Sequence, residues 1–181
     1  AIPFSLALNR HKNNKIIKSI ISLCGFSFVL PSILVVYAVI KIYGYNGILN
    51  NYFNFYNFIQ IDTIYGLTGI LLAHIFLNAP FATRLFVQNL NNIPEKYYEI
   101  SKTLNLSFMG NIIKLEYPII KQNLFTVFSI IFSLCFLSFA IVMALGGSPQ
   151  NSTLEVAIYQ YALFELNFQK AIILSFIQIF I

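Results

Sequence analysis

Charged residues are scarce in this chain of 181 residues. Asp, Glu, Lys and Arg together make up 9% of it, hydrophobic residues make up 58%, and the mean hydropathy is +0.75. Because a soluble domain normally carries about 25% charged residues, this shortage excludes a free-standing soluble protein. The composition places the chain in a membrane.

Residues that carry covalent or metal chemistry are also few. The two cysteines, Cys24 and Cys135, lie in apolar stretches without CxxC spacing, and the two histidines, His11 and His74, are far apart. No HExxH motif, paired acidic residues or Ser/His/Asp arrangement accompanies the apolar stretches. We therefore expect no catalytic, cofactor-binding or metal-binding residues, and an intramembrane enzyme is a weaker alternative.

What the chain has instead is three uncharged apolar windows. Each reaches the roughly 20 residues that a helix needs to cross about 30 Å of hydrocarbon. Pro31 and Pro80 lie inside the first two windows and remove backbone donors, so we expect kinks there. The pattern predicts an all-α, polytopic transmembrane helix bundle with spans at 19–40, 63–83 and 123–153, the last of them apolar as far as Leu145.

The positive charges are sorted between the loops. Nine of the eleven Lys and Arg residues precede the first window or follow the second, and the exceptions are Lys41 and Lys170. By the positive-inside rule, those nine residues mark the cytoplasmic side. The formal net charge of +5 therefore needs no nucleic-acid partner, which would require a clustered basic face on a soluble module.

The cytoplasmic segment 90–122 has the start and stop signals of two short helices. Pro94 suits a helix start, and Asn105 suits a left-handed stop. Ser107 can cap a second helix, and Pro118 is expected to begin the next span. The turn between them carries apolar residues, which either dock a soluble partner or pack back onto the bundle. These residues are Leu104, Leu106, Phe108 and Met109.

His74 and Asn78 are the polar exceptions within the second window. At positions i and i+4 they share a helix face and can hydrogen-bond each other. Polar contacts between membrane helices fix packing, whereas ionisable groups within spans mark substrate paths. Both interpretations stay open for His74 and Asn78: a packing contact, or a lining of the substrate path.

A short helix is expected on the outer side of the membrane before the end of the chain. Ser152 and Glu155 form a capping-box pattern, which predicts a helix start after Pro149. An apolar face on this helix is typical of a segment that lies on the membrane surface. The residues that share that face are Leu154, Ile158 and Tyr161.

The spacing within 90–122 resembles the EAA loop of ABC-importer permeases. That pattern is Glu-Ala-Ala, three residues, Gly, nine residues, Ile, one residue, Leu-Pro. In order, its places are taken here by Glu99, Ile100, Ser101, Asn105, Leu115, Tyr117 and Pro118. Ile100, Asn105 and Tyr117 depart from the pattern, and Asn is the best substitute for Gly at a left-handed position. The resemblance implies an ATPase-coupling loop that contains Glu99, Ser101, Asn105, Gly110, Leu115 and Pro118.

The rest of the chain is similar to the thiamine-importer permeases within that group. This likeness covers nearly the whole chain, and segment 138–160 is the part that favours thiamine over iron(III), sulfate or polyamine relatives. The likeness corresponds to the first half of a two-half permease. Because 171–181 reaches only about half of the bilayer, residues 1–181 are expected to be a single transmembrane permease domain truncated at both ends.

The resemblance implies a set of partners and a location. The partners are a cytoplasmic ABC ATPase dimer, a second permease half, a periplasmic substrate-binding protein and the lipid bilayer, with no nucleic acid. The chain itself would bind no cofactor, because the ATPase subunits bind the ATP. It would be a multi-pass protein of the bacterial inner membrane. The alternatives are a related importer for iron(III) or another small solute, and a structural or enzymatic membrane protein.

Overall fold

The computed structural model describes residues 1–55, 64–146 and 151–180, and every regular element within these ranges is helical. This confirms the all-α expectation. Two π-helical segments, Ile112–Glu116 and Gln160–Phe164, interrupt the α-helices. The α-helices are α1 (Ile2–Arg10), α2 (Lys15–Phe26), α3 (Ser32–Tyr43), α4 (Ile48–Phe55), α5 (Leu67–Asn91), α6 (Glu95–Thr103), α7 (Phe108–Asn111), α8 (Tyr117–Phe136), α9 (Phe139–Leu145), α10 (Leu154–Tyr159) and α11 (Phe168–Ile179).

Three helical segments among the described residues are long and apolar enough to cross a bilayer. They are Ser32–Tyr52, Leu67–Asn91 and Phe108–Phe136. Their number matches the three predicted spans, but their limits differ from those of the predicted windows. The last of them turns large apolar side chains such as Phe125 and Phe128 outward, as expected of a helix whose surroundings are lipid.

The prediction of one helix over 19–40 is wrong. Helix α2 ends at Phe26 and α3 begins at Ser32, with Pro31 immediately before its first turn. Proline has no N–H to donate, and it disfavours the helical conformation for the residue that precedes it. Pro31 therefore starts a new helix instead of kinking a continuous one, whereas Pro80 lies inside the unbroken α5.

The prediction for the third span is also corrected at both ends. The continuous helical segment begins at Phe108 and ends at Phe136, well before Leu145. Ser138, with φ −89° and ψ 68°, is not helical and separates α8 from α9. The apolar window was long enough for one helix, but its sequence contains this local break.

Two compact units make up the described chain. The first contains Ala1–Val29 and Phe76–Ser133, and the second contains Leu30–Ile75 and Leu134–Ile181. Apolar side chains of α5 and α8, with Ile93 from the segment between α5 and α6, form the core of the first unit, and α1 packs against it. The buried members of this core are Ala82, Phe86, Leu90, Ile93, Ile120 and Val127.

In the second unit, a helix starts shortly after Pro149 as predicted, but its N-cap residue is not Ser152. Helix α10 begins at Leu154, and the residue at its N-cap is Thr153, without a side-chain capping hydrogen bond. The Glu155 carboxylate instead accepts a hydrogen bond from Gln178 of α11, with a distance of 3.3 Å from Nε2 to Oε1. A tertiary contact has replaced the local one, and Pro149 lies outside the described residues.

Candidate functional site

The segment between α5 and α8 folds as the predicted helix–turn–helix. Helix α6 starts immediately after Pro94, and Glu95 occupies its first turn, where its negative charge is favourable. Helix α7 starts after Ser107, whose Oγ accepts a hydrogen bond from the Gly110 N–H at 3.1 Å. The predicted start signals at Pro94 and Ser107 are both confirmed.

Asn105 ends α6 in the left-handed conformation, with φ 47°. The Leu106 N–H donates to the Ser101 carbonyl at 3.0 Å, and the Asn105 N–H donates to the Lys102 carbonyl at 3.1 Å. These two bonds are those of a Schellman motif, which commonly closes a helix on a left-handed residue. Asn105 therefore adopts the left-handed conformation for which Gly is usual at this position of the pattern.

Apolar side chains project from this turn. Leu104 and Phe108 are each 66% exposed and Met109 is 58% exposed, whereas Leu106 is partly buried. We call Leu104, Phe108 and Met109 the turn surface. All three are mostly exposed and none belongs to the buried core, although the Phe108 ring contacts the Arg10 guanidinium of α1.

The remaining motif residues lie on both helices of the loop. Glu99 is exposed on α6, and Ser101 is buried, with its Oγ donating to the Tyr98 carbonyl at 2.8 Å. Gly110 lies in α7, where an added Cβ would make an ordinary contact of 3.4 Å with Ser107 Oγ. Leu115 lies in the π-helical segment that follows.

Pro118 does not begin the span, contrary to the prediction. The helix that starts at Phe108 runs through the π-helical segment into α8, and Pro118 is the second residue of α8. A proline inside a regular α-helix removes one hydrogen bond and clashes with the carbonyl four residues earlier. The π-helical segment lies directly before α8, and its wider turn is closed by the Tyr117 N–H, which donates to the Ile112 carbonyl. As a result, α7 and α8 form one uninterrupted helical segment.

A buried ion pair joins α1 to this segment. Arg10 Nη2 lies 3.1 Å from Glu116 Oε2, and the side chain of Glu116 is only 1% exposed. The Arg10 guanidinium also lies 3.8 Å from the centroid of the Phe108 ring, which is the geometry of a cation–π contact. Arg10 thus contacts residues on both sides of the start of the π-helical segment.

A second polar contact joins α1 to the loop, this time to α6. Asn9 Nδ2 lies 3.5 Å from the Tyr98 hydroxyl of α6. Burial raises the pKa of Tyr98, and the nearby negative charge of Glu116 raises it further. A cavity of about 350 Å³ opens beside these groups. It is lined by Asn9, Arg10, Lys12, Asn13, Glu95, Tyr98, Glu99, Lys102 and Glu116.

The sequence interpretation missed Arg10 and Glu116. Arg10 was assigned only to the cytoplasmic charge cluster, and Glu116 occupies the place that the EAA pattern leaves undefined. The available signal was a single acidic residue between Leu115 and Tyr117, since an acidic side chain in an apolar run is buried only when it has a partner.

His74 has a partner for each ring nitrogen. Nδ1 lies 2.7 Å from the Ile70 carbonyl, and Nε2 lies 2.7 Å from Ser138 Oγ. Ser138 stands at the break between α8 and α9, so His74 connects α5 to that break. These contacts favour the packing interpretation for His74. Asn78 lies one turn further along α5 and is partly buried, and a lining of the substrate path by these two residues stays a prediction.

The chain is similar to known membrane-transport proteins. The model of the family described as binding-protein-dependent transport system inner membrane component matches residues 1–181. The chain is 42% identical over 161 residues to the thiamine transport system permease protein ThiP of Haemophilus influenzae, covering 89% of this chain and 30% of that protein. It is 35% identical over 179 residues to ThiP of Brucella suis, covering 99% of this chain and 33% of that protein.

A third relative gives the same result. Identity to ThiP of Escherichia coli is 35% over 160 residues, covering 88% of this chain and 30% of that protein. The chain therefore spans about a third of the length of these relatives.

No group of three or more His, Cys, Asp or Glu side chains placed to hold a metal ion occurs within the described residues.

Proposed function

The chain belongs to the family of binding-protein-dependent transport system inner membrane components, and on that premise we propose that it is part of the permease of an ATP-driven importer for thiamine and thiamine phosphates. The substrate is supported by the relatives named thiamine permeases, which match 88% or more of the chain at 35–42% identity. The three apolar helical segments agree with a protein that spans the membrane.

The turn surface supports the proposed mechanism most directly. Three exposed apolar side chains around the turn of a helix–turn–helix suit a packed contact with a soluble partner. The EAA spacing of the same loop points to an ATPase as that partner. We assign segment 90–122 as the coupling loop, with Glu99 and Ser101 on the first helix, Gly110 on the second and Asn105 between them.

The uninterrupted helix from Phe108 to Phe136 gives this loop a way to act on the membrane region. A force on α7 is transmitted along one helical segment into α8, since no flexible linker separates them. Closure of an ATPase dimer would then move α8 and switch the permease between inward- and outward-facing states. This is a rigid-body transition of the kind that packed helices support.

The chain performs no covalent chemistry in this account. It holds no cofactor of its own, and ATP is bound and hydrolysed by the partner ATPase subunits. A second permease half, a periplasmic substrate-binding protein and the surrounding lipid complete the assembly in the bacterial inner membrane. Residues 1–181 contribute part of one transmembrane permease domain to it.

Growth of a thiamine auxotroph that lacks its own importer tests the substrate. Supplied with the full-length permease, its ATPase and its binding protein, the strain should grow on low external thiamine. It should fail to grow when the permease gene alone is omitted. Rescue of iron(III) uptake without thiamine uptake would instead assign the chain to the related importer class.

A further inference from the structure

The second compact unit contains a cavity of about 510 Å³ beside α10 and α11. This volume lies within the range of roughly 300–1,000 Å³ that is usual for small-molecule sites. The side chains that line it come from α9, α10, the π-helical segment after α10, and α11. They are Phe139, Glu155, Ile158, Tyr159, Ala162, Leu163, Ser175 and Gln178.

The charge in this lining is negative. Among the described residues that line the cavity, Glu155 is the acidic one and none is Lys, Arg or His. One carboxylate oxygen of Glu155 accepts the hydrogen bond from Gln178, while the other, Oε2, is buried and has no hydrogen-bond partner among the described residues. Lys170 belongs to α11 but is not part of the lining, and its ammonium lies instead against the ring of Tyr161.

Aromatic rings form another part of the same lining. The centroids of Phe139 and Tyr159 are 5.0 Å apart, with an angle of 59° between the ring planes. Tyr159 also contacts Phe164 edge-on, at 5.8 Å between centroids. Because Phe139 and Tyr159 both line the cavity, a flat molecule bound there would contact aromatic rings.

A carboxylate oxygen without a partner and a pair of aromatic rings attract the same kind of ligand. Burying a carboxylate is costly unless a positive charge or a donor compensates it. The faces of aromatic rings attract cations, and quaternary nitrogen compounds most characteristically. A small inorganic cation would satisfy Glu155, but it would leave the width of the cavity and the rings without a role.

From these contacts we infer that the cavity is a binding site for a heteroaromatic organic cation, with Glu155 as its charge partner and Phe139 and Tyr159 as its aromatic walls. The inference rests on the proposed function and adds a binding site to it. Thiamine fits this site because its thiazolium ring carries a permanent positive charge. The positive-inside pattern predicts that α10 lies toward the periplasm, where a substrate released by a binding protein arrives.

Direct binding to the assembled transporter tests this site. The full-length permease with its ATPase is placed in lipid nanodiscs without the binding protein, and binding of radiolabelled thiamine is measured. Glu155→Gln keeps the acceptor for Gln178 and removes the charge, so affinity should fall by at least about tenfold. Tyr159→Leu should also weaken binding. Glu165→Gln is the matched control, because Glu165 is exposed and outside the lining, and its affinity should equal that of the wild type.

The chemical class of the ligand is tested by competition. Thiochrome, an uncharged product of thiamine oxidation with similar rings, should not displace bound thiamine. Absence of thiamine binding to a wild-type permease that rescues the auxotroph, or wild-type affinity in Glu155→Gln, overturns the inference. Displacement of thiamine by sodium ions at equal concentration also overturns it, since the site would then hold an inorganic cation.

The failure of this inference can be told apart from that of the proposed function. If the auxotroph is rescued but Glu155→Gln binds and transports thiamine normally, only the site is wrong. If the auxotroph is not rescued, 1-methylnicotinamide replaces thiamine as the labelled probe. Binding of that cation with the same dependence on Glu155 upholds the site and leaves the proposed substrate wrong.

Discussion

Glu116 and Arg10 form a contact whose two members are unequally buried. Glu116 is almost completely enclosed, while the Arg10 side chain is 23% exposed and also covers the Phe108 ring. A buried carboxylate that loses its partner is an uncompensated charge, which costs about 3–5 kcal/mol. Replacement of both members by uncharged groups of similar size is often nearly neutral, so the pair serves more to fix the position of α1 than to add net stability.

The Arg10→Met variant should therefore destabilise the protein by about 3 kcal/mol, at the lower end of this range because water can reach the partly exposed site. The double variant Arg10→Met with Glu116→Leu should recover most of that loss, because no buried charge remains. Thermal unfolding of the purified full-length permease in detergent measures both. Lys15→Ala, at an exposed position of α2, should change stability by less than about 0.5 kcal/mol. Equal losses in the single and double variants would show that the ion pair is not the cause.

At the scale of single elements, the proposed coupling role belongs to the loop formed by α6, the Asn105 turn and α7. Glu99→Lys and Gly110→Asp should leave the permease folded and inserted, since neither position lies in the described core. Transport should nevertheless fall steeply, because an unpaired charge in a packed interface costs several kcal/mol. Uptake and ATPase activity of the assembled complex are the measurements, and stimulation of the ATPase by loaded binding protein should be lost.

Two control variants separate this effect from damage to the fold. Gly110→Ala should transport normally, because an added Cβ makes only an ordinary contact there. Asn46→Ser changes an exposed residue outside the coupling loop and should also have little effect. Normal transport by Glu99→Lys at normal expression would mean that segment 90–122 is not the coupling element.

The elements also show which features sequence alone could predict. The turn at Asn105 and the cap at Ser107 depend on residues within a few positions of each other, so local rules identified both. The Arg10–Glu116 pair joins residues 106 positions apart, and no local pattern brings them together. The breaks after Phe26 and Phe136 were missed because apolar composition measures the length of a window and not the continuity of its helix.

For the whole molecule, the orientation in the membrane follows from the positive-inside pattern. Residues near Asn51 should face the periplasm, and residues near Lys102 should face the cytoplasm. Single cysteines at these two exposed positions, in a background with Cys24 and Cys135 replaced by Ser, are labelled in whole cells with a membrane-impermeant reagent. Labelling at position 51 and protection at position 102 is expected. The reverse pattern would invert the topology and remove the coupling loop from the reach of a cytoplasmic ATPase.

Uptake by a defined, reconstituted system decides whether this chain works in an ATP-driven thiamine importer. The full-length permease and its ATPase are placed in liposomes, and radiolabelled thiamine is supplied outside together with the binding protein. We expect thiamine to accumulate only when ATP is enclosed on the side that carries segment 90–122, and accumulation should stop when the binding protein is left out. Accumulation of thiamine without ATP hydrolysis, or no accumulation when all the components are present and active, would contradict the assignment of this chain to an ATP-driven thiamine importer.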